Sequence, residues 1–408
     1  MKRRDEDGRA AARSHPLLGV AALMYFVIAL EVLIMISPFA AFFYAVFNPV
    51  LLFLARWPES RWLAAFFLPH MVLPPGLFLK AIRVAGSVLF VGGTLIFLVC
   101  AGQVYSGKLF RRGPASGGLY RWIRHPQYLA LALAGLGLAI LWPRFLTIVL
   151  WTVMVGLYVL LARDEERRMV NAFGDRYREY MARTGRFLPR GLEAFGRRFL
   201  PSSPVLGPAL GFALLVAAAV GGAFVLRAYT VKRLPLWSGG RVTALAILPG
   251  DGAMLKHRME DVLELPEAKA RVAETPGPIL VYVVPRQYVM QGMIADTGPE
   301  WRLFEHGQTL SMIADWIFHP FRHLQGGHTM HTAGGTTVPG QPSVVIRRLI
   351  FLSVETPREE ETPAALFAIN TARIPRFLAD VDVHDLILLG TRELGPGTGW
   401  GDVPTPLF

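Results

Sequence analysis

One short segment combines a charged, a titratable and a hydroxyl side chain at the start of an apolar run. Residues 124–128 read RHPQY. Pro126 fits the first position of a helix, where a missing N–H costs nothing, so His125 lies near the N-cap and Tyr128 follows on nearly the same face. The free N–H groups of such a helix favour an anion, and Arg124 adds a fork of donors. The pattern predicts either a carboxylate-binding site or plain anchoring of these side chains at a membrane interface.

A cluster of acids follows the second of two apolar stretches. The stretches 126–141 and 145–162 predict a helical hairpin, which returns the chain to the membrane face from which it started. Glu165 and Glu166 come directly after this hairpin and can therefore lie close to His125. Their carboxylates could bind an ammonium group, ribose hydroxyls or a sulfonium-bearing ligand. The alternative is an interfacial cluster of ion pairs with neighbouring arginines.

Two further motifs lie in the basic segment 163–198. Phe173, Tyr177 and Tyr180 are spaced i, i+4 and i+7 within the sequence FGDRYREY. This spacing predicts one aromatic stripe on an interfacial helix. The sequence RFLP at 186–189 then closes the cluster of motifs.

Several apolar runs are long enough to cross a hydrocarbon core, which takes about 20 helical residues. They lie at 17–47, at 82–101, over the hairpin and at 205–227. The first run is too long for the apolar part of a signal peptide, so we expect an uncleaved membrane helix. Three glycines of the second run suit close packing of helices: Gly86, Gly92 and Gly93.

The positive charge of the chain is concentrated in its membrane half. Residues 1–200 hold 25 Lys and Arg against 11 Asp and Glu, whereas residues 201–408 hold 17 against 19. Basic clusters beside membrane helices face the cytoplasm, so we expect the motifs on the cytoplasmic face of a bacterial inner membrane. The C-terminal residues are then expected on the opposite side. These clusters flank spans and build no groove-reading motif, which argues against nucleic-acid binding.

The last part of the chain has the pattern of a water-facing domain. Four stretches rich in Val, Ile and Leu predict buried strands: 241–249, 279–285, 343–355 and 383–390. Helices are predicted at 252–274 and 308–324. The expected architecture is therefore a multi-pass α-helical membrane domain, 1–230, followed by a soluble mixed α/β domain, 231–408.

A run of histidines in the second domain has spacing that zinc sites also use. The four are His319, His323, His328 and His331. Pro320 interrupts a helix there, and Gly326 with Gly327 indicates a loop. Ordinary polar loop chemistry is the favoured interpretation, and no metal is predicted.

The motifs together resemble a known family. Gly118-Leu119-Tyr120, RHPQY, the hairpin, EERRM at 165–169, FGDRYREY and RFLP have the order and spacing of the integral membrane methyltransferases typified by isoprenylcysteine carboxyl methyltransferase, with phospholipid N-methyltransferases as relatives. The resemblance covers about 113–190. Met169 stands where the family pattern has Leu.

The resemblance implies a cofactor, a substrate class and roles for residues. The cofactor would be S-adenosylmethionine, and the substrate a lipid-like or prenylated molecule methylated on a carboxyl oxygen or an amine nitrogen. The residues expected to line the cofactor site are Tyr120, Arg124, His125, Tyr128, Glu165 and Glu166. Three arginines, Arg168, Arg176 and Arg186, are expected to hold an acidic group of the substrate for catalysis. Beyond the membrane and this substrate, no protein partner is indicated.

Two other functions stay open at this point. Sterol-type reductases that use NADPH share this membrane scaffold, and their motif resembles R-H-P-N-Y-x-G-E. In this chain Gln127 precedes the tyrosine, and Leu129, Ala130 and Leu131 follow it. The glutamate of the reductase motif is therefore missing, and its absence argues against a reductase. The other possibility is a non-enzymatic membrane anchor that presents the C-terminal domain.

Overall fold

A computed structural model describes most of both predicted domains. The described residues are 19–29, 51–69, 76–110, 117–203, 205–248, 250–286, 288, 291–292, 294–297, 345–355, 362–369 and 371–397. The histidine run His319, His323, His328 and His331 and the helix predicted at 308–324 lie outside them. The chain divides into two compact units, Met1–Leu33 with Lys80–Phe224 and Ile34–Leu79 with Val225–Phe408.

Helices make up the membrane part of the chain. They are α1 (Gly19–Ala29), α2 (Pro58–Ala64), α3 (Leu77–Leu109), α4 (Pro126–Leu141), α5 (Phe145–Phe173), α6 (Asp175–Arg183), α7 (Arg190–Arg197) and α8 (Leu206–Val231). Three of the described helices are long and apolar enough to cross a membrane, within α3, α5 and α8. The predicted multi-pass helical membrane domain is confirmed. The short arm α4 begins at Pro126 with His125 as its N-cap, as the sequence predicts.

Glycines allow α3 and α4 to pack with their backbones in contact. A Cβ added at Gly93 would lie 2.7 Å from the carbonyl oxygen of Ala130 and 2.7 Å from the amide nitrogen of Ala134. Gly86 is similarly close to Ile140, whereas a Cβ at Gly92 would meet nothing within 4 Å. The packing role predicted for the three glycines therefore holds for two of them. Absence of a side chain is what permits this close approach.

Helix α5 is longer than the hairpin arm predicted at 145–162. It continues without a break through the acidic residues to Phe173. Asp164 pairs with Arg167 at 2.7 Å and with Arg168 at 3.3 Å, and such i, i+3 and i, i+4 pairs favour continued helix. The acids are therefore presented by a helix and not by a loop. Gly174 ends this helix with a φ of 57°, a conformation that glycine adopts without strain.

This break at Gly174 corrects the prediction of one aromatic stripe. Phe173 is the last residue of α5 and is exposed, while Tyr177 and Tyr180 belong to the separate helix α6. Tyr177 is buried, and its ring centroid lies 5.6 Å from that of Tyr180. Only these two aromatic residues therefore act together.

The C-terminal unit contains a six-stranded mixed sheet in the order β1 to β6. The strands are β1 (Leu236–Gly239), β2 (Val242–Ala246), β3 (Ile279–Pro285), β4 (Ile346–Glu355), β5 (Ala372–Asp382) and β6 (Ile387–Glu393). Strands β2 and β3 are parallel, and the other neighbours are antiparallel. Helices α9 (Asp251–Glu264) and α10 (Pro266–Glu274) connect the parallel pair. A further helical turn, α11, covers Pro363–Leu366.

The core of this sheet forms between its strands and α9. Leu255, Met259 and Val262 of α9 pack with the inward side chains of β2 to β5. The predicted mixed α/β domain is confirmed. The single helix expected at 252–274 is two helices, because a proline at 266 cannot continue the first one.

The sequence-based prediction missed β1 and β5. Strand β5 carries Pro375, which removes a ladder donor and argues against a central strand. The structure accommodates it at an irregularity, where the pairing of β4 with β5 shifts register between Phe351 and Leu352. A β-bulge is the usual place for proline within a sheet.

The glycine contact between α3 and α4 yields a matched pair of substitutions. Gly93→Ala forces a methyl group against rigid backbone atoms and should lower stability by about 1–3 kcal/mol, the usual cost of overpacking. Gly92→Ala on the same helix adds the methyl group in open space and should be neutral or slightly stabilising. Thermal unfolding of both variants in detergent measures the difference. Equal melting temperatures for the two would contradict the packing described.

Candidate functional site

Two of the predicted motifs are joined through their backbones. The N–H of Arg124 donates to the carbonyl of Gly185 at 2.8 Å, and the N–H of His125 donates to the carbonyl of Arg186 at 3.0 Å. Ile123 and Gly185 form a parallel bridge at the same place. The closing RFLP motif therefore lies beside the N-terminus of α4.

A buried carboxylate connects these motifs to α5. Glu166, which is 4% exposed, accepts from Nε of Arg124 at 2.7 Å and from Nη2 of Arg186 at 2.5 Å. Nε of Arg186 lies 3.1 Å from each carboxylate oxygen. We name Glu166, Arg124 and Arg186 the Glu166 cluster. Hydrogen bonds between ionised groups are roughly twice as strong as those between neutral groups. The cluster therefore holds the RHPQY motif, α5 and the RFLP motif together.

Arg124 also reaches the end of α6. Its Nη1 donates to the carbonyl of Met181 at 3.0 Å and to the carbonyl of Thr184. The Arg124 side chain is 6% exposed. Its guanidinium donates to Glu166 on one side and to the carbonyl groups at the end of α6 on the other. Its described contacts are therefore those of a residue that joins segments, and not those of a free anion-binding group.

His125 lies between the two glutamates. It is 2% exposed, and its Nδ1 is 3.5 Å from Glu165 Oε2 while its Nε2 is 3.5 Å from Glu166 Oε1. Neither ring nitrogen makes a hydrogen bond to the described part of the chain. The imidazole is therefore held between two carboxylates at ion-pair distance, with hydrogen-bond geometry to neither. Burial alone would lower the pKa of His125, but the two carboxylates outweigh burial and raise the pKa above its ordinary value.

Glu165 is the more open of the two glutamates. Its side chain is 38% exposed, against 5% for Glu166. The hydroxyl of Tyr128 donates to Glu165 Oε2 at 3.4 Å. The ring of Tyr128 stacks on His125 at 5.5 Å and on Tyr158 at 5.1 Å between centroids. The accessible carboxylate of Glu165 thus lies beside the stacked rings of His125, Tyr128 and Tyr158.

Tyr120 supports this arrangement from the preceding 3₁₀ turn, Gly118–Arg121. Its hydroxyl donates to Gln127 Oε1 at 2.9 Å, and its carbonyl accepts from the hydroxyl of Tyr180 at 2.6 Å. Burial raises the pKa of Tyr120, so its hydroxyl remains a donor at neutral pH. The tyrosine therefore joins the N-terminal part of α4 to α6.

The three arginines expected to bind substrate have different surroundings. Arg186 belongs to the Glu166 cluster. Arg168 pairs with Asp164 at 3.3 Å and acts electrostatically on Glu165. Arg176 is exposed on α6, and none of its described contacts joins it to the cluster. The structure therefore brings Arg186 into the cluster and places Arg168 two residues after Glu166 on the same helix.

Sequence reasoning missed Glu193, which fixes the RFLP motif. Its Oε1 accepts from the N–H groups of Arg186 at 2.7 Å, Phe187 at 2.8 Å and Leu188 at 3.2 Å. A signal was present, because Pro189 followed by an acid in the first turn is typical of a helix start. Here the acid binds the N–H groups that precede the helix.

Comparison with family models gives a match for part of the chain. Residues 81–176 match the family described as phospholipid methyltransferase. The resemblance predicted from the motifs is thereby confirmed for this segment. Comparisons with curated proteins and with solved structures gave no match. The matched family is a methyltransferase family, and three of the described helices are long and apolar enough to cross a membrane.

The raised pKa of His125 predicts a pH dependence of stability. A histidine whose pKa is higher in the folded state than in the unfolded state stabilises the fold. This stabilisation is fully present below the unfolded pKa of about 6.5. The contribution disappears as the pH rises through the folded pKa. The excess stability of wild type over His125→Gln should therefore shrink from acidic to alkaline pH. Melting temperatures across a pH series test this, with His257→Gln, an exposed position on α9, as the control. An excess that grows with pH would contradict the assignment.

Proposed function

We propose that the chain is an integral membrane methyltransferase that uses S-adenosylmethionine. The acceptor would be a carboxyl oxygen or an amine nitrogen of a lipid-like or isoprenoid-linked molecule. The observation that carries the proposal is the position of the buried imidazole of His125 between two carboxylates, of which that of Glu165 is open. Both lie at the polar end of a membrane hairpin within the segment that matches the methyltransferase family.

The side chains present fit the polar groups of this cofactor. The N-terminus of α4 and a protonated His125 suit the carboxylate of its methionine part. Glu165 suits the ammonium group or the ribose hydroxyls, and the hydroxyl of Tyr128 adds a donor. When bound, the cofactor supplies a methyl group on a positively charged sulfur, which is reactive toward nucleophiles.

We assign supporting and binding roles to different members of the predicted site. Glu165, His125 and Tyr128 would contact the cofactor. Glu166, Arg124 and Tyr120, also predicted to line the site, would act mainly by holding those three in place. Between the two glutamates the division follows from burial, because Glu166 already accepts from two guanidinium groups, whereas Glu165 is open and lies beside His125 and Tyr128.

Substrate binding is proposed for the basic surface near Glu165. Arg168 lies on the same helix as the glutamate, and the exposed Arg176 follows on α6. Either could attract an acidic group of the acceptor, while Arg186 would act through Glu166. Methyl transfer needs alignment of the acceptor with the methyl group and exclusion of water. A site at the end of a membrane hairpin supplies both to a molecule that enters from the lipid.

The purified protein should bind S-adenosylmethionine and its product S-adenosylhomocysteine. It should not bind NADPH, because the tyrosine motif lacks the glutamate of the reductases. Titration calorimetry in detergent measures all three ligands on one preparation. Binding of NADPH without binding of either methionine derivative would overturn the proposal.

Single substitutions should separate the cofactor site from the rest of the surface. His125→Ala and Glu165→Ala each remove a polar contact and should weaken S-adenosylhomocysteine binding by about 1–3 kcal/mol. The effect of the more open Glu165 should fall toward the lower end of that range. Glu179→Ala, which removes an exposed carboxylate on α6, is the matched control. Unchanged affinity in both test variants, with the fold intact, would show that the cofactor binds elsewhere.

A further inference from the structure

Helix α7 and the turn that follows it present an apolar stripe that the described chain leaves uncovered. Leu192, Phe195 and Phe199 are 59%, 58% and 72% exposed. They are spaced i, i+3 and i+7, so they share one face, and the rings of Phe195 and Phe199 meet edge to face at 5.3 Å. Leu188, in the bend before the helix, is also exposed, at 43%.

The chain directly after α7 lies against the first turns of the candidate span α8. A Cβ at Gly211 would lie 3.4 Å from Cδ1 of Leu200, and one at Gly207 would lie 2.5 Å from the carbonyl oxygen of Pro201. The end of α7 is thus held at the end of a membrane helix. A short amphipathic helix at that position has its apolar face within reach of the hydrocarbon boundary.

The charge around the stripe is basic. The segment 163–198 holds ten arginines against six acids. Arg190, the first residue of α7, and Arg198, directly after its end, are exposed, and Arg190 donates from Nη1 to the carbonyl of Ala182. We propose that α7, through its apolar stripe and these two arginines, binds the headgroup layer of anionic phospholipids. We name this the α7 surface. Apolar insertion combined with basic side chains is the pattern by which helices lie on anionic membranes.

The α7 surface is connected to the candidate cofactor site. Glu193 lies on α7 and accepts from the N–H groups of Arg186, Phe187 and Leu188. Arg186 in turn donates to Glu166. Seating of α7 on lipid would therefore favour the position of Arg186 that completes the Glu166 cluster. This second step rests on the proposed function, whereas lipid contact of α7 does not.

The lipid contact is tested with the full chain in nanodiscs. A polarity-sensitive fluorophore is attached at Phe195→Cys in a Cys100→Ala background, with Arg178→Cys on α6 as the matched exposed position. In discs that contain anionic phosphatidylglycerol, the label at 195 should be quenched by spin-labelled lipid and protected from aqueous iodide. The label at 178 should show the opposite. Equal iodide quenching at both positions would overturn the proposal, as would protection that appears only when protein concentration rises, which would indicate contact between copies.

The coupling is tested by cofactor affinity in the same discs. Wild type should bind S-adenosylhomocysteine about five-fold more tightly in anionic than in phosphatidylcholine discs, the effect expected of one basic group at an anionic surface. Glu193→Ala should keep the label at 195 in lipid but lose this lipid dependence. The same affinity of wild type in both lipids would overturn the coupling. Absence of binding in every lipid would instead refute the proposed function, and the fluorophore result would still decide the lipid contact.

Discussion

The arrangement of the candidate site depends on one buried carboxylate. Glu166 lies on a long membrane helix, and the two arginines that neutralise it come from segments 20 and 42 residues away in sequence. Charges this deeply buried are stable only when they are paired, so the ends of the hairpin and the RFLP motif are constrained to meet. Three motifs that are separate in sequence become one structure through this requirement.

The same constraint explains why two adjacent glutamates differ. The carboxylate of Glu166 is buried against Arg124 and Arg186. That of Glu165, the preceding residue on the helix, remains partly open beside His125 and Tyr128. Neighbouring helical positions are about 100° apart, so one can serve the protein interior while the other serves a ligand. A helix through the acidic residues, instead of a loop, makes this separation rigid.

The sequence was most informative where spacing and chemistry agreed. The N-cap position of His125, the short arm α4 and four of the six strands followed from pattern alone. Arg124 could not be assigned a supporting role in advance, because its carbonyl partners at Met181 and Thr184 depend on how α6 ends. Strand β5 was missed because the bulge that tolerates its proline is a property of the pairing with β4 and not of the strand itself.

Glu166→Gln compared with Glu165→Gln tests this account most directly. The first substitution leaves two guanidinium groups with a neutral partner in a buried place, so it should lower both melting temperature and S-adenosylhomocysteine affinity, with a stability loss on the order of 3 kcal/mol. The second should lower affinity while stability stays close to wild type. Melting temperature and S-adenosylhomocysteine affinity are measured on both variants. The account predicts the results above, and it would be contradicted if Glu166→Gln were as stable as wild type or if Glu165→Gln were the more destabilised of the two.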